Sequence, residues 1–413
     1  MKKRVVITGI GLVSPNGIGK EEFWKALISG KSAIKKITRF EPSGFPTQIA
    51  AEIDNFDPLK FMNYNELRYT ERASQFAIAS AIMAKEDAKL DLSKENLERI
   101  GVAMGTSIGG QGWAFEQYDI FKKEGIDKAN PFSIIAAYPN ALSTQLSIRF
   151  NIKGPSETIS IGCSSGLSAI SFAFEKIQNG IVDIMFAGGS DAPLFPPVFA
   201  ALCLGRNMSL QNSKPKKASR PFDRKRDGLV IGEGAGVIIL EELNHAIKRK
   251  AHIYAEIKGY GETCDGYHPV EPLPTGEQAE RAIRIALKNS GCLPRQIDYI
   301  CAFGLSMKKL DIIETKVIKN IFKKYAYKIP ISSIKSMIGQ PLAASGVLQL
   351  ITSVLVIKDG IIPPTINYEY PDPECDLNYV PNRAIRKKVN RVLTYTFGFG
   401  GKNIALIIEK YKK

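Results

Sequence analysis

The sequence predicts an α/β protein made of two similar βαβ-rich halves, residues 1–250 and 251–413. Three internal pairings predict it. Residues 232–242 and 398–409 both read as a glycine turn, an apolar strand and an acidic end. Residues 101–107 and 302–306 both read as a strand that stops at a glycine. The turn at Cys163 and the helix after it correspond to residues 335–340 and a helix over 342–357. Halves of this kind pack as two mixed sheets with helices between and outside them. With 413 residues, 44% of them apolar, the chain is ample for a large core.

The elements follow in order. The chain opens Met1-Lys2-Lys3-Arg4, but the apolar stretch behind it is short and broken by Thr8, Gly9 and Gly11. It reads as a first strand, not a signal peptide. Residues 21–27 and 73–88 read as amphipathic helices, and Pro131, Pro155 and Pro363-Pro364 mark turns or strand starts. Leu167, Ile170, Phe174 and Ile177 recur on one helical face. Residues 237–240 and 404–408 are apolar strands, and no segment approaches the ~20 apolar residues of a membrane span. The six cysteines form neither a CxxC pair nor a grouping with histidine, which predicts a reduced, cytoplasmic protein without a metal.

Cys163 is the candidate nucleophile. It closes the short strand Thr158-Ile159-Ser160-Ile161 through Gly162 and leads into the helix that begins near Leu167. Unpaired N–H groups and the positive end of the helix dipole favour a thiolate there. The local pattern alone fits a buried structural cysteine equally well.

Longer motifs distinguish these readings. The block Ser219-Arg220-Pro221-Phe222-Asp223, Arg226-Asp227-Gly228 and Gly232-Glu233-Gly234-Ala235-Gly236 precedes one strand. Phe397-Gly398-Phe399-Gly400-Gly401-Lys402-Asn403 precedes another. With the opening residues 4–11, the Cys163 turn, Asp265-Gly266-Tyr267-His268 and residues 332–346, these motifs resemble, in order and over essentially the whole chain, the β-ketoacyl-acyl carrier protein synthases, most closely the synthase II type. The resemblance implies a thiolase-like five-layer α-β-α-β-α fold with an internal pseudo-twofold duplication. It also implies a two-step reaction: acyl transfer from a carrier protein to Cys163, then attack on the acyl-enzyme by a decarboxylated malonyl thioester.

Two family histidines assist that second step, and this chain has neither. Where the family reads Asn-Ala-His-Gly-Thr-Ser-Thr, the chain reads Cys301-Ala302-Phe303-Gly304-Leu305-Ser306-Met307. Where it reads Lys-Ser-…-Gly-His, the chain reads Lys335-Ser336-Met337-Ile338-Gly339-Gln340. Phe303 neither donates nor titrates, and Gln340 donates without carrying a proton. Losing one such donor typically costs about 2.7–4 kcal/mol, so malonyl decarboxylation is expected to be badly impaired. The resemblance implies that the acylation step uses backbone N–H groups, at the positions of Cys163 and Phe399 here, and backbone donors survive side-chain change.

By the same resemblance Lys335 supports the site's network and Glu314 belongs to its buried polar scaffold. Leu305 and Met307 replace threonines that contact the phosphopantetheine arm, and Lys402 replaces a threonine near the gate. Ile108 matches a pocket residue, to which Trp113 adds bulk. His268 is a gating or carrier-contact residue, or a relocated imidazole. Lys402 is either a cation beside the nucleophile or a solvent-facing lysine. Cys301 reads as structural.

The formal charge is +15, from 56 basic and 41 acidic residues. A basic rim suits an acidic acyl carrier protein. Arg68 and Arg206 match carrier-docking positions, and a solvated lysine-rich surface explains the charge equally well. The basic clusters lack a nucleic-acid recognition motif. The chain itself is expected to bind no cofactor, the phosphopantetheine arm belonging to the carrier. Two functions stand: an acyltransferase or unusual condensing enzyme, or a non-condensing subunit like a chain-length factor. The first is expected as a homodimer, the second in a heterodimer with an active synthase.

Overall fold

A computed structural model describes residues 2–412. Five strands of the first half are β1 (Val5–Ser14), β2 (Ile100–Gly105), β3 (Ser156–Ile159), β4 (Ile184–Asp191) and β5 (Gly234–Glu242). Five of the second are β6 (Ala255–Cys264), β7 (Tyr299–Cys301), β8 (Ile331–Ser332), β9 (Arg391–Gly398) and β10 (Lys402–Glu409). The first five lie in the order β1-β5-β4-β2-β3, and the second five in the order β6-β10-β9-β7-β8. The senses match too: β2 is parallel to its neighbours, as is β7, while β5 and β10 run antiparallel to theirs. The halves join where β1 pairs antiparallel with β6 through Val5 and Ile257.

The helices repeat in the same positions. After β1 comes α1 (Arg72–Asp87), and between β2 and β3 comes α2 (Ala141–Phe150). After β3 comes α3 (Ser165–Gln178). Their counterparts are α4 (Glu277–Asn289), α5 (Lys308–Phe322) and α6 (Ala344–Asp359). The expected helix over 342–357 thus starts and ends two residues later, and residues 335–338 form a short helix of their own.

Layering follows from which faces are apolar. α6 is buried along nearly its whole length, which a helix packed on one side cannot be. It touches β9 and β7 of one sheet, β5 and β4 of the other, and α3 beside it. α1 with α2, and α4 with α5, cover the outer faces. The result is the five-layer α-β-α-β-α fold with its duplication. One device recurs: a Cβ at Gly11 of β1 would stand 2.1 Å from Ser80 O of α1, and one at Gly261 of β6 would stand 2.1 Å from Ala282 O of α4. Each glycine lets an outer helix press on its sheet.

The core is continuous across the halves, with Ile7, Leu167, Ile170, Val347 and Ile351 in one cluster. A Cβ at Gly166 would meet Ala343 O at 2.3 Å, so the starts of α3 and α6 nearly touch. Among the described residues no helix is long and apolar enough to cross a membrane.

Candidate active site

Cys163 stands one residue before Ser164, the residue that opens α3. Gly162 takes φ 74°, a left-handed conformation, and the turn closes with Ser165 N donating to Gly162 O at 3.0 Å. Ser165 locks it further: its hydroxyl donates to Thr106 O and accepts from Ile161 N. Asp191, at the end of β4, holds the neighbouring strand tip. Its buried carboxylate accepts from Thr106 Oγ1 at 2.7 Å, from the N–H groups of Ser107 and Ile108, and from Ala343 N at 2.8 Å. One side chain thereby ties β2 to the start of α6.

The thiol is only 8% exposed, and this corrects the sequence argument. Burial pushes it up from 9.0 to about 11; Gln340 and Lys335 pull it down, and Asp191 adds to the rise. A helix start is worth about 0.3–1 kcal/mol to an anion. The upward shift corresponds to about 3 kcal/mol, so desolvation wins in the closed protein.

Two backbone donors flank the sulfur. Among the described residues nothing accepts from Phe399 N–H, and the N–H of Cys163 faces only its own thiol. Phe399 follows β9, and this segment packs directly on the Cys163 turn: a Cβ at Gly398 would stand 3.5 Å from Cys163 N.

The opposite wall carries the substituted positions. Phe303 is fully buried, its ring edge-on to Phe397 at 6.1 Å between centroids. Lys335 Nζ lies 4.5 Å from the Phe303 centroid and donates to Gln349 Oε1 at 2.7 Å. Glu314 accepts from Phe303 N at 2.9 Å and Gly304 N at 2.8 Å, which fixes that loop. Burial raises Glu314, with Asp311 adding to it, and burial lowers Lys335. Gln340 is pinned by its backbone: its N–H donates to Val230 O at 2.8 Å and its carbonyl accepts from Gly232 N at 3.0 Å. Its side chain is 2% exposed, and neither amide atom makes a hydrogen bond of normal geometry, although the carboxamide sits close enough to the Cys163 thiol to favour its thiolate.

A cavity of about 480 Å³ is lined in part by the 397–399 segment. Met307, Leu310 and Ile313 supply apolar wall, Arg206 and Lys308 stand among the polar lining, and Phe399 borders it as well. Arg206 and Met307 are part of that lining. Leu305 is not: it is buried in the core, its N–H bound to Asp311. Trp113 is not either. Ile108 packs against the cluster that contains Cys163, but Trp113 lies in the helix Gln111–Glu124 and lines a separate cavity with Arg39 and Glu116. Arg68 is exposed, stacked 6.0 Å from the Phe132 centroid, and away from the main cavity's lining.

No imidazole has moved in. His245 bridges Glu241 and Glu95, and His252 packs on Tyr254. His268 is exposed and accepts from Val270 N and Glu271 N, which shapes the loop at the cavity mouth. Lys402 points its ammonium at Cys264 Sγ, 3.6 Å away, so Lys335 is the cation that acts on Cys163. Asp191 and Gln349 escaped the sequence argument. Their signals were a lone acid ending an apolar strand and a lone carboxamide in the apolar run 347–351.

A duplicated five-layer fold with a cysteine at the start of a buried central helix defines a thiolase-like protein whose candidate nucleophile is a thiol. Comparison with known proteins names the family. Residues 2–246 match the beta-ketoacyl synthase N-terminal domain and residues 254–369 its C-terminal domain. The 3-oxoacyl-[acyl-carrier-protein] synthase 2 of Coxiella burnetii is 44% identical over 99% of both chains. That of Synechocystis is 41% identical over 100% of this chain and 99% of its own. The ishigamide ketosynthase/chain length factor superposes with TM-score 0.93 at 32% identity over 100% of both chains. A type II polyketide ketosynthase, solved with its acyl-carrier protein, superposes with TM-score 0.92 at 33% identity over 100% of both. The chain belongs to the β-ketoacyl synthase family.

Proposed function

We propose that this protein is an acyltransferase of the 3-oxoacyl-[acyl-carrier-protein] synthase kind, in fatty-acid or polyketide-type biosynthesis. It takes an acyl chain from the phosphopantetheine arm of acyl carrier protein onto Cys163 and performs little or no malonyl decarboxylation. One observation carries this reading. The thiol keeps a helix start and two unengaged N–H groups, those of Cys163 and Phe399, while the opposite wall holds Phe303 and Gln340 in place of titrating groups. The first set suits the oxyanion of acyl transfer. The second offers one amide donor to an enolate.

The remaining roles follow from position. Met307 and Arg206 line the route of the arm, with Arg206 and exposed Arg68 as carrier contacts. Ile108 borders the acyl pocket. Lys335 and Glu314 fix the wall, and the halves divide at 250/251, in the gap between the two family matches. Residues 111–148 expose Phe115, Tyr118, Phe121, Ile126, Ile134 and Ile135, which supports a dimer through that segment. The rival reading, a chain-length-factor-like subunit, predicts preference for a heterodimer when an ordinary synthase is co-expressed.

Intact mass after incubation with acyl-carrier thioesters tests the first step. An acyl adduct that disappears in Cys163→Ala supports it, and no adduct on the wild type refutes it. A normal rate of carbon dioxide release from malonyl-carrier refutes the second half.

A further inference from the structure

Gln340 is unusual among the described residues: both polar atoms of its side chain are buried and make no hydrogen bond of normal geometry, and its only resting interaction of note is a weak one with the Cys163 thiol, which a single edge of the amide can make. Its backbone is held on both sides and its side chain is 2% exposed, so the carboxamide stays inside the site. It lies against Cys163, near enough to favour the thiolate. A buried amide left without partners is costly, and one that a fold retains beside a nucleophile is reserved for a group absent from the resting protein.

The chemistry of a carboxamide limits that group. It presents one donor edge and one acceptor edge, and neither changes with pH across the physiological range. A malonyl thioester offers only acceptor oxygens near the reacting carbon, so Gln340 Oε1 would face another oxygen with nothing to share. A hydroxyl or a neutral amine brings a hydrogen for Oε1 and a lone pair for the acyl carbon. The donor edge, Nε2, is then free to face the sulfur.

We propose that Gln340 selects a protic acceptor, an amine or an alcohol, for the acyl group carried by Cys163. The inference rests on the acyl loading proposed above. The nucleophile's X–H donates to Gln340 Oε1, and its lone pair attacks the thioester carbon. The new C–N or C–O bond forms, the C–S bond breaks, and the electron pair leaves on sulfur, where Gln340 Nε2 donates to it. The proton given up by the nucleophile ends on Cys163, restoring the thiol, so the step needs no further reagent. The acceptor enters from the cavity past Phe399, whose apolar walls at Met307, Leu310 and Ile313 suit an acyl-like or slender organic acceptor.

The test separates loading from discharge. The wild-type protein is loaded from an octanoyl thioester, freed of reagent, and its adduct confirmed by intact mass. Loss of the adduct is then followed in buffer, with butylamine, with butanol and with a malonyl thioester, and products are identified by mass. Discharge at least tenfold faster with butylamine or butanol than in buffer, giving the octanoyl amide or ester, supports the proposal and tells which acceptor it is. Gln340→Met and Gln340→Leu, loaded likewise, should lose tenfold or more of that acceleration. Discharge at the buffer rate with both acceptors, discharge driven by the malonyl thioester with carbon dioxide release, or acceleration unchanged in both variants each overturns this proposal alone. Failure to form the adduct at all overturns the loading step and this proposal with it.

Discussion

Gln340→Met should make the protein more stable. The side chain is 2% exposed with neither amide atom in a hydrogen bond of normal geometry, so its polar groups cost desolvation and return no more than a weak contact with the Cys163 thiol. Such a group costs about 1–3 kcal/mol. Methionine has nearly the same length, and volume-conserving swaps cost less than about 1.5 kcal/mol in packing. Urea unfolding should therefore show stability equal to wild type or higher, by up to about 2 kcal/mol, with an unchanged m-value. Gln349→Met is the internal control. That carboxamide accepts from Lys335 and Ser345 and donates to Cys301 O, Thr394 and Tyr395 O. Removing it strands the buried Lys335 ammonium and two carbonyls, so it should destabilise by about 3 kcal/mol or more. The two identical substitutions thus have opposite expected signs. If both destabilise by similar amounts, Gln340 is satisfied in the resting protein and the reasoning about its reserved edges fails.

Three further outcomes follow from the same buried groups. Alkylation of Cys163 by iodoacetamide should rise about tenfold per pH unit from pH 7 to 10, because burial holds the thiol at about 11; a plateau near pH 7, read by peptide mass, would contradict it. Folding stability should fall between pH 5 and 7. Burial raises Glu71 from 4.5 to about 7 and Asp311 from 3.8 to about 6, so their contribution is complete below the unfolded values and lost as pH rises through the folded ones. Each contributes a slope of at most about 1.4 kcal/mol per pH unit, and Glu71→Gln should flatten the urea-midpoint profile. Asp191→Ala should cost about 3–5 kcal/mol, since Thr106, Ser107, Ile108 and Ala343 all donate to that carboxylate; thermal unfolding within a degree of wild type would refute its role as the tie.

The duplication was legible because it is written twice in local patterns. Glycine turn, apolar strand and acid recur at β5 and β10, and the structure gives both the same place in their sheets. The helix after Cys163 was legible from the spacing of Leu167, Ile170, Phe174 and Ile177, all of which are buried. What failed was direction. Leu305 and Met307 are two apart, and sequence treated them alike, yet Ser306 takes φ 65°, which breaks the alternation and sends Leu305 into the core while Met307 reaches the cavity. Trp113 lines a separate cavity, and of the two readings of Lys402 the one away from the nucleophile fits its contact with Cys264: chain proximity to Ile108 and to Phe399 does not fix where a long side chain points. Asp191 and Gln349 were invisible because their partners come from distant segments.

Burial sets the deeper problem of this site. A thiol pushed up to about 11 is protonated almost entirely at neutral pH, so the closed protein is a poor nucleophile. The cause is removable. The 397–399 segment that lines the cavity also packs on the Cys163 turn, and it is followed by Gly400 and Gly401 at φ 77° and 71°. Displacing that segment would admit water or substrate to the sulfur and cancel the desolvation, while the start of α3 and the Lys335 charge stay in place. The groups that favour thiolate are built into the rigid layers, and the group that opposes it is a turn. Entry of an acyl thioester would therefore activate the nucleophile that receives it, without an imidazole to take the proton.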